Sequence, residues 1–434
     1  MKLTIPEFSL VVLVGIPGSG KSRFAQRHFE PTEILSSDYF RGLVSDNEKS
    51  QAATKDAFEI LHLIAAKRLA RRRLAVVDAT NVYKRARTRL VTLARSHHCI
   101  PVAVVLNLPE EICLERNQIR EDSRVGRKVI AQQTAELERS LAGLTGEGFR
   151  YVHELTTTEE VDAATIERVQ LRSNRRDDHG PFDIIGDIHG CADELEALLE
   201  KLGYVRDNDR WQFAHPQGRR VIFLGDVVDR GPRILDTYRI VRAMVDSGNA
   251  LGLPGNHDVK LVRKLRGRTV RVAYGLEQTL EQLDALPDEE RATLSEQIAE
   301  FLESLASHYV LDRGRLVVAH AGMKADLQGR ASGRVRHFAL YGETTGETDE
   351  FGLPVRYNWA ADYGGRATVV YGHTPVPEPV WLNRTINIDT GCVFGGKLTA
   401  LRYPELELAS VAAARTYCKP TRPLVHPPEP QSDP

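Results

Sequence analysis

The chain has 434 residues, 42% hydrophobic and 27% charged, with a formal net charge of −1. At roughly 100–200 residues per domain, that length excludes one small domain and predicts two or three, each large enough to bury a core. The charge excludes a generally basic nucleic-acid coat protein, although residues 1–178 carry +4 (28 Lys+Arg against 24 Asp+Glu) and the remainder −5. Any polyanion must therefore be gripped by local clusters.

No apolar run approaches the roughly 18 residues of a membrane-spanning helix. The N-terminus, MKLTIPEFSLVVLVG, contains Glu7 and no small-residue cleavage pattern, so no export signal is read and a cytoplasmic location without membrane partners is expected. Five cysteines (Cys99, Cys113, Cys191, Cys392 and Cys418) are scattered, odd in number and free of C-x-x-C spacing. They suggest neither a disulfide framework nor a thiolate zinc site.

In chain order, Leu10–Val14 (LVVLV) reads as a buried parallel strand, followed by short strands at Ile34–Ser36, Leu74–Asp78 and Pro101–Leu108. Between them, Ala52–Arg73 places apolar residues three and four apart at Phe58, Leu61, Ile64, Ala65 and Leu69, the spacing of a helix. Strands alternating with helices predict a parallel α/β sheet in a first domain, residues 1–172. The polar stretch RSNRRDDHGP predicts a linker at 173–180. A second α/β pattern follows over 181–418, with strands at Phe182–Ile185, Arg220–Leu224, Ala250–Leu253, Arg315–Val318, Ala367–Tyr371 and Thr385–Ile388. The segment Ala325–Gly365, with Arg334, Arg336, Tyr341, Tyr357 and Trp359, breaks the rhythm and reads as a long loop over an active-site edge. Residues 419–434 are proline-rich and read as a tail or linker.

Two groups of motifs carry chemistry. GIPGSGKS, Gly15 to Ser22, matches G-x-x-x-x-G-K-[ST] between a strand and a helix. Backbone N–H groups around Gly15, Gly18, Ser19 and Gly20 can cradle phosphate oxygens, Lys21 can reach the phosphates and Ser22 can hold magnesium, so ATP with Mg is the expected ligand. Asp38 follows the next strand and reads equally as a helix cap or as the base that accepts a proton from an attacking hydroxyl. Asp78, at another strand end, reads as an aid to magnesium or as a hydrogen-bonding partner of the loop. Arg116, Arg120 and Arg124 recur at i, i+4 with Arg127 beyond, which stacks guanidinium groups as a lid or forms a solvated charged face.

In the second domain, GDIHG supplies Asp187 and His189, GDVVDRG supplies Asp226, Asp229 and Arg230, and GNHD supplies Asn256, His257 and Asp258. VVAHAG adds His320 and YGHTP adds His373, and nearly every motif follows an apolar strand. Strand ends are where an α/β sheet presents ligands, and mixed Asp, Asn and His donors suit manganese, iron or nickel better than structural zinc.

On those motifs, residues Phe182–Arg402 resemble the binuclear metallophosphoesterase superfamily, in its phosphoprotein-phosphatase-like branch. The resemblance implies an α/β sandwich in which Asp187, His189 and Asp226 bind a first metal, and Asp226 bridges to a second completed by Asn256, His320 and His373. Two such ions activate water for in-line attack on phosphorus. By the same resemblance His257 is the general acid, oriented by Asp229, while Arg230 and Asn256 hold phosphate oxygens. Asp389, in NIDTGCVFGG, matches the family's late acidic position and reads as a ligand or a plain hydrogen-bonding residue.

A P-loop module followed by this phosphatase module resembles the bacterial polynucleotide kinase-phosphatases of RNA repair, over about residues 1–420. That implies ATP-dependent phosphorylation of 5′-OH ends and removal of 2′,3′-cyclic, 2′ or 3′ phosphates, with RNA ends favoured over DNA ends and DNA left open. Asp38 then matches the general base, Arg41 the acceptor-phosphate contact, and Arg116 and Arg120 the lid. The family continues into a nucleotidyltransferase module, whereas no K-x-D-G motif occurs here. Sealing is therefore expected to be absent from these residues, the ligase being either a continuation of the chain or a separate chain, and the 3′-end methyltransferase that the family's ligase region recruits is in doubt. The phosphatase half also looks like diadenosine tetraphosphatases and Ser/Thr protein phosphatases, a reading that makes the P-loop half a nucleotide gate. A non-enzymatic, ATP-dependent scaffold is the third reading, opposed by Asp38 and the arginine series.

Overall fold

The computed structural model describes residues 1–119, 125–207 and 211–422, which form two compact units, Met1–Leu171 with Arg330–Ser332, and the rest. Among the described residues, no helix is long and apolar enough to cross a membrane.

The first unit is built on a parallel sheet. Its described strands run in the order Ile34–Ser36, Ala75–Asp78, Ser9–Val14, Ile100–Leu106, Tyr151–Leu155. Ser9–Val14 is buried at every position because helices cover both faces, and that is why it reads as an unbroken apolar run. The helix Thr54–Ala70 buries Ala57, Leu61, Ala65 and Leu69, a strict four-residue stripe, and leaves Phe58 and Ile64 only partly covered. Helix Lys84–Ser96 contributes Arg87, fully buried, whose guanidinium pairs bidentately with Glu147 at 2.8 and 2.7 Å and donates to the carbonyls of Asn81 and Val82.

The second unit stacks two sheets. One has the order Ala250–Gly252, Arg220–Phe223, Phe182–Ile185, Lys397–Tyr403, Glu407–Ala412. The other runs Trp381–Leu382, Thr385–Asn387, Thr368–Tyr371, Leu316–Val318, Tyr309–Leu311, Asn174–Arg175. Phe182, Ile184, Ile222, Leu316, Val318, Val370 and Ile386 meet between them in one core. Helices Ala192–Leu202 and Ile234–Asp246 cover the outer face of the first sheet, giving the α/β sandwich.

The segment 325–365 is not the long loop that its composition suggested. It forms a helix, Gly333–Tyr341, and a hairpin of Thr344–Thr348 with Pro354–Arg356. The reason is burial: Val335, Phe338, Ala339 and Trp359 pack with Val317 and Val369 on the outer face of the second sheet. The antiparallel strands Lys397–Tyr403 and Glu407–Ala412 had no sequence expectation. Of the proline-rich tail, residues 423–434 lie outside the described residues.

Candidate active sites

The turn between strand Ser9–Val14 and helix Lys21–His28 is shaped by its glycines. Gly18 sits at φ +84°, and a Cβ there would lie 2.2 Å from the carbonyl oxygen of Cys113, so a larger residue is excluded by both conformation and space. Gly20, at φ +93°, is the residue that begins the helix, so the helix N-terminus opens onto the loop. Lys21 is buried and bends back over the loop, donating from Nζ to the carbonyl of Ile16 at 2.9 Å and to Ser19 Oγ at 3.3 Å. Ser22 follows it on the exposed side.

Asp38 is not the helix cap. Ser36 caps helix Ser37–Ser45, accepting a hydrogen bond from the backbone N–H of Tyr39. Asp38 stands in the first turn with half its side chain in solvent and pairs with Arg41, whose Nε donates to the carbonyl of Glu48 at 2.7 Å. Asp78 is buried at the end of its strand, level with Ser36 on the neighbouring strand. Arg116, on helix Glu110–Ile119, brings its guanidinium beside Gly20 and lines a recess with Arg23 and Arg27. Arg120 and Arg124 lie outside the described residues. Arg127 does not continue the arginine series, because it opens a separate helix, Arg127–Leu141, after Gly126.

In the second unit, the strand ends gather the motif residues into one buried cluster. Asp187, His189, Asp226, His257, His320 and Asp389 are each at most 6% exposed. His189, Asp226, Asp229, Arg230 and His373 all have positive φ, between 47° and 75°. Backbone strain concentrated on non-glycine residues that present side chains to one point marks a site held by its surroundings.

The ring orientations follow from backbone hydrogen bonds. His189 Nδ1 donates to the carbonyl of Val228 at 2.9 Å and His320 Nδ1 to that of Leu224 at 3.1 Å, which leaves the Nε2 lone pairs facing inward. His320 Nε2 lies 3.0 Å from Asn256 Oδ1, 3.0 Å from His373 Nδ1 and 3.6 Å from Asp226 Oδ2. His189 Nε2 lies 3.5 Å from the same Asp226 oxygen. Arg230 donates to His189 Nε2, and a cation lying among the other crowded acceptors, Asp226 Oδ2, Asn256 Oδ1 and His320 Nε2, would relieve their mutual repulsion. Asp187 Oδ1 and His373 Nε2 are buried without hydrogen-bond partners, while Asp187 Oδ2 accepts from the backbone N–H of His373 at 3.0 Å. A Cβ on Gly372 would lie 2.3 Å from Asp187 Oδ1, so only glycine leaves that oxygen room.

The electrostatics agree with a cation site. Burial, then the charges of Asp389 and Asp226, pushes the Asp187 carboxyl well up. Asp226 is pushed up by burial and then by Asp258, and Asp389 by burial to about 6. Burial pushes His320 down to about 3 and lowers His189 and His373 strongly, aided by Arg230 at His189 and by Arg356 at His373. Crowded carboxylates and neutral imidazoles are the donor set of divalent metals, and these residues fit two such ions. Asp389 touches Asp187 and accepts from the backbone N–H of Gly391 at 3.1 Å.

Beside this cluster, His257 Nδ1 lies 2.6 Å from Asp229 Oδ2, and Asp229 Oδ1 accepts from the Thr279 hydroxyl at 2.6 Å. Arg230 bridges the two parts, with Nη1 at 2.8 Å from His189 Nε2 and Nη2 at 3.0 Å from His257 Nε2. Burial and then Arg230 hold His257 well below the usual imidazole range. Asp258 is internal scaffolding, accepting the backbone N–H groups of Val227, Val228 and Gly255.

Two contributors escaped the sequence reading. Thr279 lies on helix Leu276–Asp284, which carries no motif. Arg356, on the hairpin, is half-buried and donates to the carbonyl of Tyr341 at 2.6 Å, and its charge reaches Asp226, His320 and His373. The signal for Arg356 was its place in an aromatic and basic segment, but nothing local distinguished it from Arg334 or Arg336.

Residues 180–377 match the family model for calcineurin-like phosphoesterases, and residues 10–140 match an AAA-domain model. The chain is 48% identical over 236 residues to the asymmetrical bis(5′-nucleosyl)-tetraphosphatase PrpE of Anoxybacillus flavithermus, covering 54% of this chain and 96% of that one. The chain belongs to the calcineurin-like phosphoesterase family. The PrpE proteins of Bacillus subtilis (49% over 236 residues, 54% of this chain, 96% of that one) and Geobacillus thermodenitrificans (51% over 233 residues, 54% and 94%) align with the same share. The protein is thus a metallophosphoesterase-family enzyme that carries a kinase-like P-loop domain.

Proposed function

We propose that this chain is a bifunctional end-healing enzyme, a 5′-hydroxyl polynucleotide kinase in residues 1–172 followed by a phosphatase of 2′,3′-cyclic, 2′ and 3′ phosphates in residues 181–418; the stretch 173–180, expected as a linker, instead supplies strand Asn174–Arg175 to the second unit's sheet. The observation that carries the reading is a P-loop whose neighbouring strand end offers an acid–arginine pair, Asp38 with Arg41, in a chain that also holds the His, Asp and Asn cluster. A nucleotide-gated regulator has no need of a side chain placed to take a proton from an acceptor.

In the kinase half, the loop N–H groups and Lys21 hold the β- and γ-phosphates, and Ser22 faces the Mg²⁺ that accompanies ATP. Asp38 receives the proton of the 5′-hydroxyl, Arg41 grips the adjoining phosphate of the acceptor, and Arg116 steadies the charge on the transferring group, with Arg120 as its companion.

In the phosphatase half, Asp187, His189, Asp226, Asn256, His320 and His373 hold two divalent ions, manganese or nickel with iron as the third choice, and Asp389 supports Asp187. Bound there, the ions supply an activated water and neutralise phosphate charge. Arg230 and Arg356 bind the phosphate oxygens. A phosphate on Arg230 offsets the second cause, after burial, that holds the His257 pKa down, and the imidazolium, held by Asp229, delivers its Nε2 proton to the leaving oxygen.

The identity to the PrpE proteins favours a second reading, hydrolysis of dinucleoside tetraphosphates by the same cluster. A single pair of assays separates the two: 5′-OH RNA bearing a 2′,3′-cyclic phosphate with ATP, and diadenosine tetraphosphate. End healing predicts changes at both RNA ends, whereas turnover of the dinucleotide alone supports the second reading.

A further inference from the structure

The cysteine spacing suggested no thiolate metal site, yet folding brings two thiols together 201 positions apart. Cys191 Sγ, Cys392 Sγ and a carboxylate oxygen of Glu194 all lie within 4.8 Å of one another, on residues 0%, 2% and 3% exposed. Cys191 begins helix Ala192–Leu202, Glu194 stands in its first turn, and Cys392 opens the turn Cys392–Phe394 after Asp389. Glu194 is held from one side only: its Oε1 accepts from the Tyr417 hydroxyl at 2.8 Å and the backbone N–H of Ala414 at 3.0 Å. Its Oε2 is buried with no hydrogen-bond partner. A buried carboxylate oxygen without a donor is expensive, and the apolar surroundings of the cluster supply none.

We propose that Cys191, Glu194 and Cys392 form a second metal site, separate from the histidine-rich cluster, that takes one borderline-soft divalent cation of the zinc class. Thiolate donors exclude magnesium and disfavour manganese, while two sulfurs and one oxygen are an ordinary zinc set, with water as the fourth donor. Zinc holds sulfur at about 2.3 Å and oxygen at about 2.0–2.2 Å, so its donors stand roughly 3.5–3.8 Å apart. The three donor atoms lie within 4.8 Å of one another, at most about 1 Å wider than that set. Binding releases the two thiol protons to solvent and leaves sulfur in its reduced state. It ties the turn that carries His189 to the turn that carries Asp389.

The test uses the full chain, reduced and stripped of metal, with the histidine-rich cluster first filled with Mn²⁺ and Co²⁺ then added as the probe. That cluster offers only nitrogen and oxygen, so a thiolate-to-cobalt charge-transfer band in the near ultraviolet reports this site alone. The expected result is a band that saturates within three equivalents, because cobalt also replaces manganese at the two positions of the histidine-rich cluster, disappears on adding excess zinc, vanishes in Cys392→Ser and persists in Cys418→Ser. Glu194→Gln, which keeps both sulfurs, should retain the band with affinity lowered at least tenfold. Absence of the band in the wild-type protein overturns the proposal, as does a band that survives Cys392→Ser or a Cys191–Cys392 disulfide in freshly reduced protein.

Discussion

His257 shows what one buried side chain owes to its neighbours. Asp229 fixes one ring nitrogen and Arg230 faces the other, so under the proposed mechanism proton delivery depends on substrate charge at Arg230. Replacing His257 by Ala should lower kcat by about 10²–10⁴-fold for a phosphate ester with a poor leaving group and far less for p-nitrophenyl phosphate, which needs no proton. Equal losses for both esters would remove His257 from the general-acid role. Arg356 predicts a different signature: Arg356→Ala should raise KM for phosphate monoesters about tenfold or more, the scale of a lost charge-assisted hydrogen bond, and steady-state kinetics would detect it.

At the scale of elements, burial decides which polar contacts matter. The Arg87–Glu147 pair ties helix Lys84–Ser96 to the turn Leu144–Glu147 with both side chains out of solvent. Arg87→Ala should destabilise the protein by about 3–5 kcal/mol in denaturant unfolding, because it strands a buried carboxylate. Glu33 makes a more exposed pair with Arg168, at 2.8 and 2.5 Å. Burial by itself would raise the Glu33 carboxyl, but the hydrogen bonds from Arg168 outweigh it and hold the group below its usual range. Its contribution is therefore present above the ordinary carboxylate pKa and lost as pH falls through the lowered value. Melting curves of Glu33→Gln should lie below wild type at pH 7 and converge with it in acid. The legibility of elements in the sequence followed the same logic. The parallel strands were readable as apolar runs because both faces are covered. Segment 325–365 was misread because its apolar residues, Val335, Phe338 and Trp359, are dispersed among glycines and arginines, and only the exposed face of a sheet gathers them. The motif residues of the histidine-rich cluster were nameable because each follows a strand, whereas Thr279, Arg356 and the Cys191–Glu194–Cys392 group are assembled by tertiary contact alone.

For the whole molecule, the proposed function puts two chemistries in one chain, and each should be removable without the other. Lys21→Ala should reduce γ-phosphate transfer about 100-fold or more, the scale of losing one charge-stabilising group, and leave metal-dependent phosphatase activity intact. Asp187→Ala should do the reverse, and loss of both activities in either variant would contradict separate sites. The most direct measurement is incubation of an RNA bearing a 5′-hydroxyl and a 2′,3′-cyclic phosphate with ATP, Mg²⁺ and Mn²⁺ or Ni²⁺, with both ends read. End healing predicts a gained 5′-phosphate and a freed 3′ terminus on the same molecule; an unlabelled 5′ end with diadenosine tetraphosphate hydrolysed in parallel would contradict it.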